Sequence, residues 1–396
     1  MTFKLYGAIH QFEPLLPSEF KQGHLLSKAH DVMRLATQLV TQPVPDELRE
    51  LLRGMNSYYT NRIEGQHTRP LEIEQALNKD FSHDPATANK QKLALAHMAA
   101  ERQIERHIDA HTHAASALTG QQLYSSQLLR YVHHQLFAGD TAFEAGVFRH
   151  QEVQVGQHVA PTVKSLPLFL DRWSAYYGGV RRGEAALLAT AAAHQRLGWM
   201  HPFADGNGRV MRLHTHTLLY AQGLTRGLWS PLRGFAKTTQ RYYALLAAAD
   251  ESRRGDLDGR GNLSESALSA WIDYVLDVCL DQIQFMRELL KLSTMEQRMA
   301  AALNFEQHTL RSGVRTEALK PLHYLWLGGH SMERGDFKMM TGLGDRIATN
   351  VLTALIQRGL LKSDSPQGKV RFGIPLHALR FYFPALWPEA EADAAA

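Results

Sequence analysis

His201-Pro-Phe-Ala-Asp205-Gly-Asn-Gly-Arg209-Val-Met-Arg212 gathers an imidazole, a carboxylate, two glycines, an amide and two guanidinium groups within one short stretch. Each type has a task in phosphate chemistry. Gly206 and Gly208 permit backbone conformations closed to other residues and let N–H groups approach an anion closely. Asn207 adds side-chain donors, and Arg209 and Arg212, three apart, supply bidentate donors for phosphate oxygens. Asp205 would repel a bare polyphosphate, so it makes sense as a ligand for Mg²⁺ bridging phosphate oxygens. His201 stands outside this nest, where it can take a proton from an incoming hydroxyl. Phe203 points to the core and fixes the loop. A bland reading, tight-packing glycines and surface arginines at a helix start, explains each residue singly but not the combination.

The segments on either side must position this stretch. Val210 to Leu219 has a helical pattern, which puts the glycines at a helix N-terminus, where unpaired N–H groups and partial positive charge favour anions. Ala185 to Trp199 is apolar nearly all round and predicts a buried central helix leading directly to His201. Gly146 to Pro161 alternates apolar and polar residues around Gly156 and predicts a hairpin. Such a hairpin is marginal alone, so it must lie on the helical body or hold a ligand. Thr119 to Phe137, with Ser125 and Ser126 on its polar face, Leu166 to Tyr177 and Tyr242 to Asp250 read as further helices, and Ser264 to about Glu296 as one long helix. Glu47 to Glu64 predicts a helix closed by Gly65, with Thr60 and Glu64 on one face. Position alone favours a solvated carboxylate at Glu64, although a glutamate in the last turn opposes the helix dipole and asks for a partner elsewhere.

The rest of the chain bounds the possibilities. A length of 396 residues predicts two or three domains, and 44% hydrophobic with 21% charged residues is globular composition. A net charge of +4 permits a nucleic-acid face without requiring one. The single cysteine, Cys279, excludes an intramolecular disulfide, suits a reducing compartment and reads as a buried structural thiol. No apolar run approaches the ~20 residues of a membrane span, and no signal segment leads the chain, so a cytoplasmic protein is expected. His107, His111 and His113 read as surface histidines, and the loop from Arg253 to Asn262 lacks the closing acidic residue of a calcium loop. Residues 1 to 20 read as an arm on the body. From Val314 onward, Gly335–Thr341, a helix over Asp345–Arg358 with Asp345 as its N-cap, and a small hairpin over Leu360–Phe372 give the helix–turn–helix–wing order of a winged helix. Its last helix would carry Arg346, Thr349, Asn350 and Arg358, for DNA contact or for a protein interface.

The His201–Arg212 stretch matches in full the signature H-P-F-x-[DE]-G-N-G-R-x-x-R, and the chain is thereby similar to the Fic family from about Leu25 to Gln297. That resemblance implies an all-α bundle with one β-hairpin flap over the site, here Val147 to Pro161, and a winged-helix tail found in many such proteins. It implies a protein adenylyltransferase, which moves AMP from ATP to a hydroxyl side chain of a target protein and releases pyrophosphate. His201 would deprotonate the hydroxyl and Asp205 would hold Mg²⁺. Gly206, Asn207, Gly208 and Arg209 would bind the phosphates, with Arg212 on the γ-phosphate. Gly156, Gln157, His158 and Val159 of the flap would border the nucleotide, and Tyr242 and Tyr243 resemble the pair lining the adenine side. Asp250 departs from the asparagine often found further along that helix. Thr60-Asn-Arg-Ile-Glu64-Gly65 fits the family's inhibitory motif [ST]-x-x-x-E-[GN], in which the glutamate pairs with the second signature arginine, here Arg212.

These expectations divide the chain into an N-terminal helical region with the inhibitory helix (1–110), a Fic catalytic core (111–298) and a winged-helix domain (314–396). The implied partners are a target protein bearing a hydroxyl residue and, through the winged helix, DNA; a homodimer is open and no membrane is implied. Alternatives are transfer of another phosphate-containing group, removal of AMP from a modified target, or a DNA-binding regulator with a nucleotide-sensing core.

Overall fold

The computed structural model describes residues 6–389 except 43, 67, 114–116, 139–143, 157 and 329–330. The chain divides into two compact units: Met1–Gln38, Asn56–His67 and Lys92–Ile283 form the first, and Leu39–Met55, Thr68–Gln91 and Gln284–Ala396 the second. In chain order the helices are α1 (Glu19–Val40), α2 (Asp46–Ile63), α3 (Pro70–Leu77), α4 (Pro85–His113), α5 (Gly120–Leu123) and α6 (Ser126–Phe137). Strands β1 (Gln154–Val155) and β2 (His158–Val159) follow, then α7 (Leu166–Gly178), α8 (Glu184–Met200), α9 (Asn207–Ala221), α10 (Leu232–Lys237), α11 (Thr239–Asp250) and α12 (Glu265–Leu289). The remainder is α13 (Leu292–Asn304), α14 (Leu319–Gly328), α15 (Arg334–Thr341), α16 (Asp345–Gln357), β3 (Leu361–Lys362), β4 (Arg371–Phe372) and α17 (Leu379–Tyr382). The described residues are thus mostly helical, with two small antiparallel hairpins.

The first unit is built around α8 and α9, which pack against each other. Every residue of α8 from Leu187 to Leu197 is buried, as is every residue of α9 from Arg209 to Leu219. The alanine run of α8 lets neighbours approach closely, and two tryptophans close in on it. The Trp173 indole N–H donates to the Ala193 carbonyl at 3.2 Å and that of Trp271 to Ala191 at 2.7 Å, so each large ring is buried with its one donor satisfied. The N-terminal arm lies on this body. Phe12 and Leu15 are buried, Tyr177 donates to the Leu15 carbonyl at 2.6 Å, and the buried Arg196 donates to the Pro14 carbonyl at 2.8 Å. Cys279 is buried, and burial pushes its thiol up to about 12, the state of an inert core residue.

Several element boundaries differ from the sequence expectation, each for a local reason. The helix expected over Thr119–Phe137 is two, because Ser125 leaves the helix to cap α6, its hydroxyl accepting from Leu128 N at 3.1 Å. The long helix expected over Ser264–Glu296 breaks after Leu289, and α13 restarts behind Lys291 in an extended conformation (ψ 113°). At α16 the N-cap is Gly344, and Asp345 is the first helical residue, where its charge still favours the helix dipole.

In the second unit α14, α15, α16 and the β3–β4 hairpin follow in the expected order, with Leu361 opposite Phe372. Gly342 supplies the left-handed C-cap of α15 at φ 69°. Arg346, Thr349 and Asn350 are exposed on α16. Arg358 is not on that face: it is the C-cap, and its guanidinium pairs with Glu306 through bonds of 2.8 and 2.9 Å. Glu306 is itself buried, so this bidentate pair holds the unit together and is not a free surface cation.

Candidate active site

His201 ends α8 in the left-handed region (φ 47°), a conformation that costs a non-glycine residue energy and must be held by its surroundings. Arg149 does much of the holding. Its Nε donates to the His201 carbonyl at 2.8 Å, Nη1 to Gln151 O at 2.9 Å and Nη2 to Pro161 O, while its backbone N–H donates to Pro202 O at 2.9 Å. One buried guanidinium therefore ties both ends of the hairpin segment to the turn that presents His201. Burial pushes the His201 imidazole down to about 4, with the positive charge of Arg149 acting the same way, so the ring is neutral at pH 7.

The loop from Phe203 to Gly208 is stapled from three sides. Phe203 is fully buried, as the sequence suggests, and stacks on His133 at 4.1 Å. Gly146 N donates to His133 Nδ1 at 2.7 Å, which leaves the proton on Nε2 to reach Asp205 O at 3.3 Å. Burial holds this imidazole at about 4 as well. Asn207 departs from its expected part, because its amide closes on Phe203, Oδ1 accepting from the Phe203 N–H at 2.9 Å and Nδ2 donating to the carbonyl at 2.8 Å. Its side chain shapes the nest; the donors left for an anion are the first-turn N–H groups of α9.

Gly206 is the left-handed N-cap of α9 (φ 75°), and a Cβ there would lie 2.3 Å from the Phe137 ring. The same ring carries the Arg209 guanidinium at 4.5 Å. Asp205 is the open group, with a 66% exposed side chain, and lies 3.9 Å from Arg209. Its Oδ1 accepts from the Gly206 N–H at 2.6 Å.

Arg212 is fully buried and committed. Nε donates to Thr60 Oγ1 at 2.8 Å, and Nη2 to Thr60 O at 3.3 Å and to Glu64 Oε1 at 2.6 Å. Burial alone would raise the Glu64 carboxyl, but the charge and hydrogen bond of Arg212, with Arg209 and His201 beyond, hold it below its ordinary value. The residue between them is Gly208: a Cβ there would stand 2.2 Å from Glu64 Oε1. Arg212 Nη1 has no hydrogen-bond partner although it is buried. An anionic group in the nest would give it one.

Residues 123–219 match the family model of the Fic/DOC family. The chain carries a Fic domain. The protein adenylyltransferase Fic of Drosophila ananassae is 32% identical over 121 residues, 30% of this chain and 23% of that protein. The one from Drosophila melanogaster is 31% identical over 121 residues, covering 24% of its own length. The match therefore spans about a quarter of these relatives. In fold, the chain is similar to a Fic family protein from Desulfovibrio desulfuricans G20, with a TM-score of 0.54 at 17% identity over 92% of this chain and 99% of that one. It is also similar to Fic-1 (aa134–508) from C. elegans, with a TM-score of 0.50 at 18% identity over 70% of this chain and 74% of that one.

Around the Fic domain, the remaining sequence-derived site residues fall as follows. Gly156 is exposed in the turn of the hairpin (φ 60°), and β1 and β2 are only two residues each, Gln154 opposite Val159. Gln157 lies outside the described residues. His158 turns its ring inward, with Nε2 2.8 Å from the Trp199 carbonyl, and so anchors the hairpin to the end of α8. Tyr242 is fully buried with its hydroxyl 3.0 Å from His194, and only Tyr243, 44% exposed, offers a ring to solvent. The Tyr243 hydroxyl donates to Ile63 O at 3.2 Å, at the end of α2. Asp250 takes a hydrogen bond from Gln195 at 2.7 Å, and burial raises it to about 7, so its carboxylate is held against α8. Sequence reasoning missed Arg149 and His133. Their only signal was a buried charge and an imidazole in apolar patterns, which looks the same as ordinary packing until the loops they hold are known.

Proposed function

We propose that the chain is a Mg²⁺-dependent protein AMP-transferase held inactive by Glu64. The observation that carries this reading is the occupied guanidinium of Arg212, paired at 2.6 Å with the carboxylate of Glu64 just past the end of α2, beside an anion nest and a neutral imidazole. Carboxylate and phosphate compete for one donor fork. With Glu64 in place, the nucleotide's terminal phosphate lacks its seat, and the α-phosphate is not presented for attack.

In the released state the target hydroxyl oxygen attacks the α-phosphorus of ATP. The P–O bond to the leaving pyrophosphate breaks, and the hydroxyl proton passes to the unprotonated nitrogen of His201. First-turn N–H groups of α9 and the guanidinium groups of Arg209 and Arg212 would meet the phosphate oxygens. Gly206 and Gly208 keep side-chain bulk out of the way. Asp205, with its carboxylate largely exposed at the mouth of the nest, is the residue to hold Mg²⁺, whose charge, when bound, would lessen repulsion among the phosphates. The hairpin of β1 and β2 would receive the target backbone as an added strand.

Incubation with labelled ATP and Mg²⁺ tests the reading. Glu64→Gly should label itself or a target at least tenfold above the parent, and adding His201→Ala should remove that signal. Label that is unchanged in Glu64→Gly, or that survives loss of His201, would overturn the assigned roles. The mass added to the product separates AMP from other phosphate-containing groups.

A further inference from the structure

One helical turn beyond Arg212 on α9 lies a second set of chemistry-bearing side chains for which AMP transfer has no use. His97, Glu101 and Glu105 recur every four residues on one face of α4, and His216 of α9 meets them. All four are buried, none more than 3% exposed. His216 Nε2 stands 3.0 Å from Glu105 Oε1 and 3.8 Å from Glu101 Oε1, and ligand atoms of these three residues all lie within 4.8 Å of one another. His97 Nδ1 points at Glu101 Oε2 from 3.8 Å, and neither of its ring nitrogens has a hydrogen-bond partner. Asn56 of α2 donates to Glu101 Oε1 at 3.0 Å.

We propose that Glu101, Glu105 and His216, with His97 as fourth donor, form a binding site for a divalent first-row transition metal ion. Metal–ligand bonds of ~2.0–2.1 Å in a tetrahedral site put neighbouring ligand atoms roughly 3.3 Å apart. The observed 3.0 and 3.8 Å of His216 from the two carboxylates bracket that separation, and His97, 3.8 Å from Glu101, would move in as the fourth donor when an ion binds. Two carboxylates with two neutral imidazoles match the charge of a dication in a dry interior, and imidazole nitrogens select transition metals over Mg²⁺ or Ca²⁺. Hydrogen bonding within the cluster accounts for His216 against Glu105. It leaves unexplained an imidazole with both nitrogens bare in the core and aimed at a carboxylate, and buried polar groups left bare in this way ask for a ligand.

The position gives the site a consequence. The same face of α9 carries Arg212 and His216 one turn apart, and Asn56 and Thr60 of α2 continue at the same spacing to Glu64 just past its end. An ion joining α4 to α9, with Asn56 gripping one ligand, would fix the backs of the helices whose ends form the Glu64–Arg212 pair. This last step rests on the autoinhibited reading; the site itself does not.

The test is metal content, measured without nucleotide. The full chain carrying His107→Ala and His111→Ala, which removes a histidine pair 4.4 Å apart between ring centroids, is stripped by chelator and dialysed against Co²⁺. After gel filtration it should retain about one equivalent, show the visible d–d absorption of a low-symmetry Co²⁺ site and melt at higher temperature than the stripped protein. His216→Ala, Glu105→Gln and His97→Ala should each lose the ion at least tenfold, while Glu64→Gly retains it. Should a variant fail to fold, the spectrum of the parent still decides, because nitrogen–oxygen ligation in a dry site differs from aqueous Co²⁺. No retained ion, or equal retention in parent and folded variants, would overturn the site and leave a buried histidine–carboxylate network.

Discussion

Thr60 shares the Arg212 guanidinium with Glu64. Its hydroxyl accepts from Arg212 Nε at 2.8 Å in a fully buried setting. Thr60→Val keeps the shape and leaves a charged donor without its acceptor, at a cost of about 1–3 kcal/mol. The folded chain should melt lower, and labelling should rise above the parent but stay below Glu64→Gly, since the carboxylate remains. Labelling equal to the parent would mean that Glu64 alone holds the arginine. At this scale the sequence was informative where residues act as a contiguous string. His201 to Arg212 could be read directly, as could the left-handed Gly65, but the roles of Asn207, His158 and Tyr242 could not. Whether an amide or a ring points to a ligand or back to its own loop depends on neighbours brought in from elsewhere in the chain.

Among the elements, the hairpin is held by Arg149 more than by its own ladder, which comprises two short strands. Arg149→Lys keeps the charge and forfeits the fan of three carbonyl contacts. In a Glu64→Gly background we expect kcat to fall roughly 100-fold, because a reacting group displaced by about 1 Å costs that much, with KM for ATP changed little. An equal loss in KM would place Arg149 in nucleotide binding instead. Helix α8 was legible because burial on all sides leaves a largely apolar, alanine-rich run, and the start of α9 because Gly206 and Gly208 mark it. The break after Leu289 and the cap at Ser125 were not, since both segments keep a helical pattern through the interruption, and only tertiary packing decides where the backbone departs. The His97–Glu101–Glu105 row was passed over for the same reason: without His216 beside it, it reads as the polar face of an amphipathic helix.

On the scale of the molecule, acid should be the weak side. Burial holds His97 at about 3 and His133, His201 and His214 at about 4, so all four are neutral in the fold. In the unfolded chain each titrates near 6.5. Between those values the unfolded state binds more protons, so stability rises with pH through the window and is lost as pH falls from about 6.5 toward 4. Glu64, held below its ordinary value, acts in the same direction at lower pH. Asp250, raised to about 7 by burial, opposes them: its contribution is present below its ordinary value and lost as pH rises through about 7. Four groups against one predict a melting temperature that drops steadily from pH 6.5 to 4. A flat profile would mean that these imidazoles are not neutral and enclosed.

The Glu64–Arg212 contact joins residues 148 positions apart, with the carboxylate on the N-terminal side. A chain made from its N-terminus delivers that carboxylate first. By the time the ribosome releases α9, α2 has long been available to meet it, so the order of synthesis itself ensures that no newly made molecule passes through a stage with the arginine formed and its occupant still to come.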